Sequence, residues 1–245
     1  MAPRFALIQC RAVEDPVRGE ELRCFAERLG VPDSNIRVAD LLRDPLDADL
    51  LSGADALLVG GSGDYSVLDP LPEIRRFIDF LVEQAERGFP TFASCFGFQA
   101  LALGLGGEVV RDPANAEVGS YTLSTLPDAA TDPLFSAMPE TFTAQLGHQD
   151  RASSLGSRLV PLARSERVSL QAFRVAGAPI YATQFHPEMT WLDNRRRLER
   201  YMKKYGVGLF GPEEAQRRLD SHRPSPEANA LLPRFVRLFV TGEPE

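Results

Sequence analysis

What the chain lacks narrows its biology first. No apolar stretch approaches the ~18 residues that a membrane-spanning helix needs, and the opening MAPRFALIQC has too short an apolar run for a signal peptide. No membrane is expected as a partner. Cysteine is scarce: Cys10, Cys24 and Cys95 are odd in number, and no two have CxxC or metal-ligand spacing. That argues against a disulfide framework and favours a reducing cytoplasm as the location. The three histidines, His148, His186 and His222, are too few for a histidine-rich zinc site, even with Asp150 two residues beyond His148. Asp150 reads instead as a residue that fixes His148 or caps a turn. Positive charge is also short. Lys and Arg number 27 against 34 Asp and Glu, a net charge of −7, so the clustered basic surface of a nucleic-acid binder is not expected. The one basic run, Arg195-Arg196-Arg197, is flanked by Asp193 and Glu199 and reads as a solvated helix face rather than a phosphate patch. Neither internal repeats nor low-complexity tracts occur.

Hydrophobic residues make up 44% of the 245, enough for a sizeable core. Residues 5–9 form a short apolar run that reads as a strand. Leu22, Phe25, Ala26 and Leu29 have helical spacing, with Gly30 where a C-terminal cap belongs. Residues 55–59 read as a buried strand ending in Gly60-Gly61. A second amphipathic helix is marked by Ile74, Phe77, Ile78, Leu81 and Val82, and is ended by Gly88 and Pro90. Residues 91–94 then read as a strand and 98–105 as a helix. Strand and helix in alternation predict a doubly wound, mostly parallel α/β sheet flanked by helices. Between 107 and 185 the pattern becomes short β-like runs, at 108–110, 121–126, 141–146, 170–175 and 180–184, which read as sheet completion plus antiparallel additions. From Trp191 the chain turns helical and charged, and two further helices are expected between 211 and 240, around Pro224 and Pro226. The expected organisation is an α/β domain over 1–190 and a helical C-terminal extension over 191–245, packed on the same domain.

The sharpest feature is Phe92-Ala93-Ser94-Cys95-Phe96-Gly97-Phe98-Gln99. An apolar strand runs into a cysteine, a glycine follows two residues on, and a helix begins. That is the logic of a nucleophile elbow, which lifts the reactive side chain above the sheet edge. The helix N-terminus supplies unpaired N–H groups and a positive dipole end, which favour a thiolate and a nearby oxyanion. A buried structural cysteine would give the same segment. The stretch Tyr181-Ala182-Thr183-Gln184-Phe185-His186-Pro187-Glu188 decides between the two. A strand ends in histidine, and a carboxylate two residues on can hold one ring nitrogen while the other takes a thiol proton. Cys10 and Cys24 read as small core residues. The loop Gly60-Gly61-Ser62-Gly63-Asp64-Tyr65-Ser66 lacks the lysine of a P-loop and fails the Ser-Gly-Gly-x-Asp-Ser pattern of ATP-using synthetases, so nucleotide binding is not expected.

Together, Gly60-Gly61-Ser62-Gly63, Cys95-Phe96-Gly97-Phe98-Gln99 and Gln184-Phe185-His186-Pro187-Glu188, in this order and spacing, make residues 40–190 resemble the class I, triad-type glutamine amidotransferase domain, particularly the glutaminase part of GMP synthase. The resemblance implies a flavodoxin-like fold, no cofactor and no metal. It implies a triad of Cys95, His186 and Glu188, and an oxyanion hole from the backbone N–H groups of Gly61 and Phe96. Gln99 would contact the amino-acid end of the substrate, and Gly147, His148 and Gln149 would line the same pocket. The implied reaction is hydrolysis of the glutamine side-chain amide through a γ-glutamyl thioester, with ammonia passed to a separate acceptor synthetase. Three positions depart from the family pattern: Ala93 and Gln149 where glycine is usual, and Ser62 where proline is usual. None removes a catalytic side chain, and each bears on pocket shape. Two other readings stay open: a stand-alone hydrolase of γ-glutamyl peptides or amides with the same triad, and a non-catalytic regulatory protein on a retained scaffold.

Overall fold

A computed structural model describes residues 2–205 and 211–242. The first half holds the expected strands and helices with β2 added: β1 (Phe5–Gln9), α1 (Val17–Leu29), β2 (Ile36–Asp40), β3 (Ala56–Val59), α2 (Pro72–Arg87), β4 (Thr91–Ser94) and α3 (Phe96–Gly104). Gly30 and Gly88 close α1 and α2 in the left-handed conformation, at φ 68° and 65°, where glycine has no Cβ to clash. Seven strands follow: β5 (Glu108–Arg111), β6 (Glu117–Thr125), β7 (Thr141–His148), β8 (Asp150–Ser154), β9 (Leu159–Ser165), β10 (Ala172–Val175) and β11 (Ile180–Thr183). The chain then forms α4 (Trp191–Tyr205), α5 (Pro212–Asp220) and α6 (Pro226–Val236). Of the extension expected over 191–245, residues 206–210 and 243–245 lie outside the described residues.

Nine strands form one sheet in the order β2-β1-β3-β4-β11-β10-β9-β6-β7. The pairings from β2 through β11 are parallel and those from β11 through β7 antiparallel. β5 and β8 make a separate two-stranded ribbon. Period-2 alternation divides the core into two layers. Ala6, Ile8, Leu57, Val59 and Ala93 pack with α2 and α3 on one face. Phe5, Leu7, Ala56, Leu58 and Phe92 pack with α1 and α6 on the other.

Three strands carried no sequence signal. β2, Ile-Arg-Val-Ala-Asp, is an edge strand with Arg37 exposed, so it lacks an apolar run. β8 is polar and lies in the small ribbon. β9 contains Pro161, tolerated beside the register shift between Ala172 and Phe173 of β10. β6 begins at Glu117 rather than 121, because Gly119 and Ser120, turn-type residues in isolation, lie inside the strand.

Candidate active site

The parallel half of the sheet delivers the chemistry to one edge. β4 ends at Ser94, and Cys95 occupies the turn into α3 with φ 50° and ψ −95°. Among the described residues it is the only non-glycine with positive φ. Such a backbone costs on the order of 1–3 kcal/mol and persists where its surroundings over-determine it. Here the Cys95 N–H donates to Thr183 O at 2.7 Å, and Gln99 N–H donates back to Cys95 O at 3.0 Å. Gly97 is required by close approach: a Cβ there would sit 2.6 Å from Val59 Cγ1 and 2.9 Å from the methyl of Ala93. Ala93, glycine in the usual family pattern, is thus tolerated because Gly97 presents no side chain. The Phe96 ring stacks on Phe77 with centroids 5.8 Å apart, which anchors the first turn of the helix.

β11 lies beside β4, with Thr183 in register with Ser94. His186, three residues past Thr183, is 4% exposed and its N–H donates to Gln145 O at 2.9 Å. His186 Nδ1 lies 2.7 Å from Glu188 Oε1, and the other Glu188 oxygen accepts from Ser94 Oγ at 3.0 Å. Burial opposes charge on His186. The Glu188 carboxylate and a hydrogen bond with Cys95 outweigh it and raise the imidazole to about 9. Burial likewise opposes charge on Glu188, yet His186 holds its carboxyl below the usual range. Both shifts favour the imidazolium and carboxylate forms of the pair. Cys10 and Cys24 are different: burial pushes both thiols up to about 12, so neither forms a thiolate readily.

Gly61 lies against His186 and Cys95. A Cβ there would meet His186 Cε1 at 2.8 Å and Cys95 Cβ at 3.7 Å. Its N–H donates to Glu21 Oε1 at 3.1 Å. Glu21 is fully buried on α1 and paired with Arg11, whose Nη2 lies 2.8 Å from Oε1 and Nε 3.2 Å from Oε2. Neither Arg11 nor Glu21 carried a sequence signal, because a buried ion pair joining a loop to a helix has no local motif.

Cys95 and His186 open into a cavity of about 560 Å³. Cys95, Phe96, Gln99, Gly147, His148, Gln149 and His186 all line it. Gln99 donates to Asp150 O at 2.8 Å and to Gln184 Oε1 at 3.2 Å. His148 is buried, with Nδ1 3.1 Å from Asp150 O and Nε2 3.1 Å from Glu117 Oε2. The backbone oxygen of Asp150, not its carboxylate, thus meets His148. The carboxylate turns to Ser66 Oγ and to Arg111 at 3.3 Å, because His148 and Asp150 flank the corner between β7 and β8. α4 supplies one wall, with Asn194, Arg197, Leu198 and Tyr201 on a single helical face. The expectation of a solvated basic face is corrected here for Arg197, which is 5% exposed. The helix turns that position inward, while Arg195 pairs with Glu199 at 3.2 Å near the surface. α6 reaches the triad too: Asn229 Nδ2 donates to Pro187 O at 2.7 Å and to Met189 O at 2.8 Å, on both sides of Glu188.

Comparison with known proteins agrees with this architecture. The family model for glutamine amidotransferase class-I matches residues 35–201. A glutamine-hydrolysing GMP synthase subunit from Thermoplasma volcanium is 30% identical over 152 residues, covering 61% of this chain and 70% of the relative. A glutamine amidotransferase structure from Thermotoga maritima superposes with a TM-score of 0.70 at 21% identity, covering 98% of this chain and 99% of that one. A glutamine amidotransferase from Methylobacillus flagellatus gives 0.68 at 22% identity, covering 98% and 93%. The chain belongs to the class I glutamine amidotransferase family, whose members are cysteine hydrolases acting on glutamine.

Proposed function

We propose that this chain hydrolyses the side-chain amide of glutamine through a γ-glutamyl thioester on Cys95, and that the ammonia passes to a separate acceptor synthetase. The observation that carries the reading is the junction of β4 and β11. There a strained elbow cysteine lies beside a buried histidine, itself held by a buried carboxylate at 2.7 Å. The Cys95 sulfur attacks the amide carbon as thiolate. His186 gives its proton to the departing ammonia. Water then loses a proton to His186 as its oxygen bonds the thioester carbonyl carbon, and the C–S bond breaks with its electron pair leaving on sulfur. Glutamate departs, and the thiolate and imidazolium are restored. Phe96 N–H, at the first turn of α3, is one oxyanion donor. Gly61 N–H is the second once it leaves Glu21. Gln99, Gly147, His148 and Gln149 surround the amino-acid end of the substrate.

A second reading has its own support. The cavity volume falls within the ~300–1,000 Å³ of sites for drug-sized ligands, and its walls extend to Asp69 and Arg111. That space suits a γ-glutamyl peptide or amide larger than glutamine, cleaved by the same triad. Ammonia and amine release from glutamine and from γ-glutamyl peptides, with and without cell extract, separates the two. Efficient partner-free hydrolysis of a γ-glutamyl peptide, with glutamine poor, would replace the first reading by the second.

A further inference from the structure

Gln184 is fully buried and lies one residue beyond β11. Parallel pairing of β11 with β4 sets Thr183 beside Ser94, so the next residues, Gln184 and Cys95, are also neighbours across the strand ends. The Gln184 backbone is fixed by its N–H, which donates to Gln171 O at 2.8 Å. Its side chain bridges two groups. Oε1 accepts from Gln99 Nε2 at 3.2 Å, and Nε2 donates to Cys95 Sγ at 3.5 Å. The amide orientation is dictated by its partners: Gln99 Nε2 has only hydrogens to offer, so the oxygen of Gln184 must face it and the NH₂ must face sulfur. Gln99 is itself locked by Asp150 O at 2.8 Å. A chain of buried donors and acceptors therefore ends on the nucleophile, opposite in kind to His186, because an amide cannot take the thiol proton.

We propose that Gln184 is a catalytic residue, an uncharged hydrogen-bond donor to the Cys95 thiolate whose aim is set by Gln99. The proposal rests on the assignment of Cys95 as nucleophile. Its effect divides between the two halves of the reaction. A donor to sulfur enlarges the thiolate population before attack while lowering the sulfur's intrinsic nucleophilicity, and the two effects partly cancel. In the second half they do not oppose each other. When the tetrahedral adduct collapses, the C–S electron pair leaves on sulfur, and the Gln184 N–H stabilises the charge arriving there. Removal of Gln184 should therefore slow thioester hydrolysis more than thioester formation.

The test uses the full chain with Gln184→Met, which keeps the volume and removes the donor. Acid-quenched mass spectrometry during glutamine turnover should show the γ-glutamyl adduct accumulating on Cys95, with kcat down about tenfold and KM lowered in step. Equal adduct occupancy in variant and wild type would overturn the proposal. Should the variant not fold, the wild type answers alone. The side-chain amide resonances of Gln184, in ¹⁵N-labelled protein, should shift on alkylation of Cys95, and resonances that do not move would equally overturn it. Full glutamine turnover by Cys95→Ala sinks the underlying assignment, whereas the Gln184 amide resonances read the contact with sulfur whatever the substrate is.

Discussion

At the scale of single residues, charge and burial together distinguish one cysteine from two others. Cys10 and Cys24 lie where desolvation suppresses the thiolate, and Cys95 lies beside a histidine whose charged form Glu188 favours. A diazo-ketone analogue of glutamine should therefore label Cys95 and spare both of the others, as peptide mapping would show; labelling of Cys10 or Cys24 would contradict the assignment. The imidazole raised to about 9 makes a pH prediction. A group whose folded pKa exceeds its ordinary value near 6.5 gives stabilisation that is whole below that value and lost as pH rises through the folded one. The ion pair, and with it the acid that protonates ammonia, should persist through neutrality and fail near pH 9. kcat/KM should have an alkaline limb there. Glu188→Gln removes the charge that raises His186, so the limb should move to lower pH, and a limb at the same pH would show that Glu188 does not set it. The motif residues Cys95, His186 and Glu188 were legible in the sequence because each sits in a local pattern of strand, turn and small residue. Gln184 stood in the same motif, but its contact with sulfur depends on the register of two strands 89 residues apart in sequence. Arg11 and Glu21 had no local signature at all.

At the scale of elements, the parallel strands and their helices were readable from apolar runs and glycine caps. β2 and β8 were not, since edge and ribbon strands expose polar residues and show no run, and β9 was not because Pro161 interrupts it. The C-terminal extension illustrates what periodicity cannot supply. Its helices were visible, while the residues they would meet were not. α4 walls the cavity, and α6 places Phe235 against Phe92 at 5.5 Å and Tyr181 at 6.2 Å. Its Asn229 clamps the turn on both sides of Glu188. Asn229→Ala removes two hydrogen bonds to buried carbonyls, at about 1–3 kcal/mol for each acceptor left unsatisfied. The expected outcome is a lower denaturation midpoint together with a lower kcat. An unchanged kcat, despite the lost stability, would show that the clamp does not position the triad. Gly97→Ala tests the elbow from the other side. Its methyl would press on Val59 and Ala93, costing about 1–3 kcal/mol as overpacking, measurable by urea unfolding.

For the whole molecule, the question is how hydrolysis is coupled to use of the ammonia. Gly61 N–H is turned to Glu21 Oε1, and Glu21 is held by Arg11. Releasing that N–H toward the site would complete the oxyanion hole, and one such donor is worth about 10²–10³ in rate. The isolated chain is accordingly expected to hydrolyse glutamine slowly and to speed up by about that factor when a synthetase partner binds, as steady-state ammonia release would show. Fast glutamine turnover by the chain alone would remove the need for a partner. Beneath either outcome stands the claim that Cys95 carries the acyl group. Rapid acid quench of the chain during glutamine turnover, followed by mass spectrometry of its peptides, reads that acyl group itself. The expected result is a γ-glutamyl adduct on the peptide containing Cys95, with neither adduct nor ammonia release in Cys95→Ala. An adduct on any other residue, or undiminished turnover by Cys95→Ala, would contradict it.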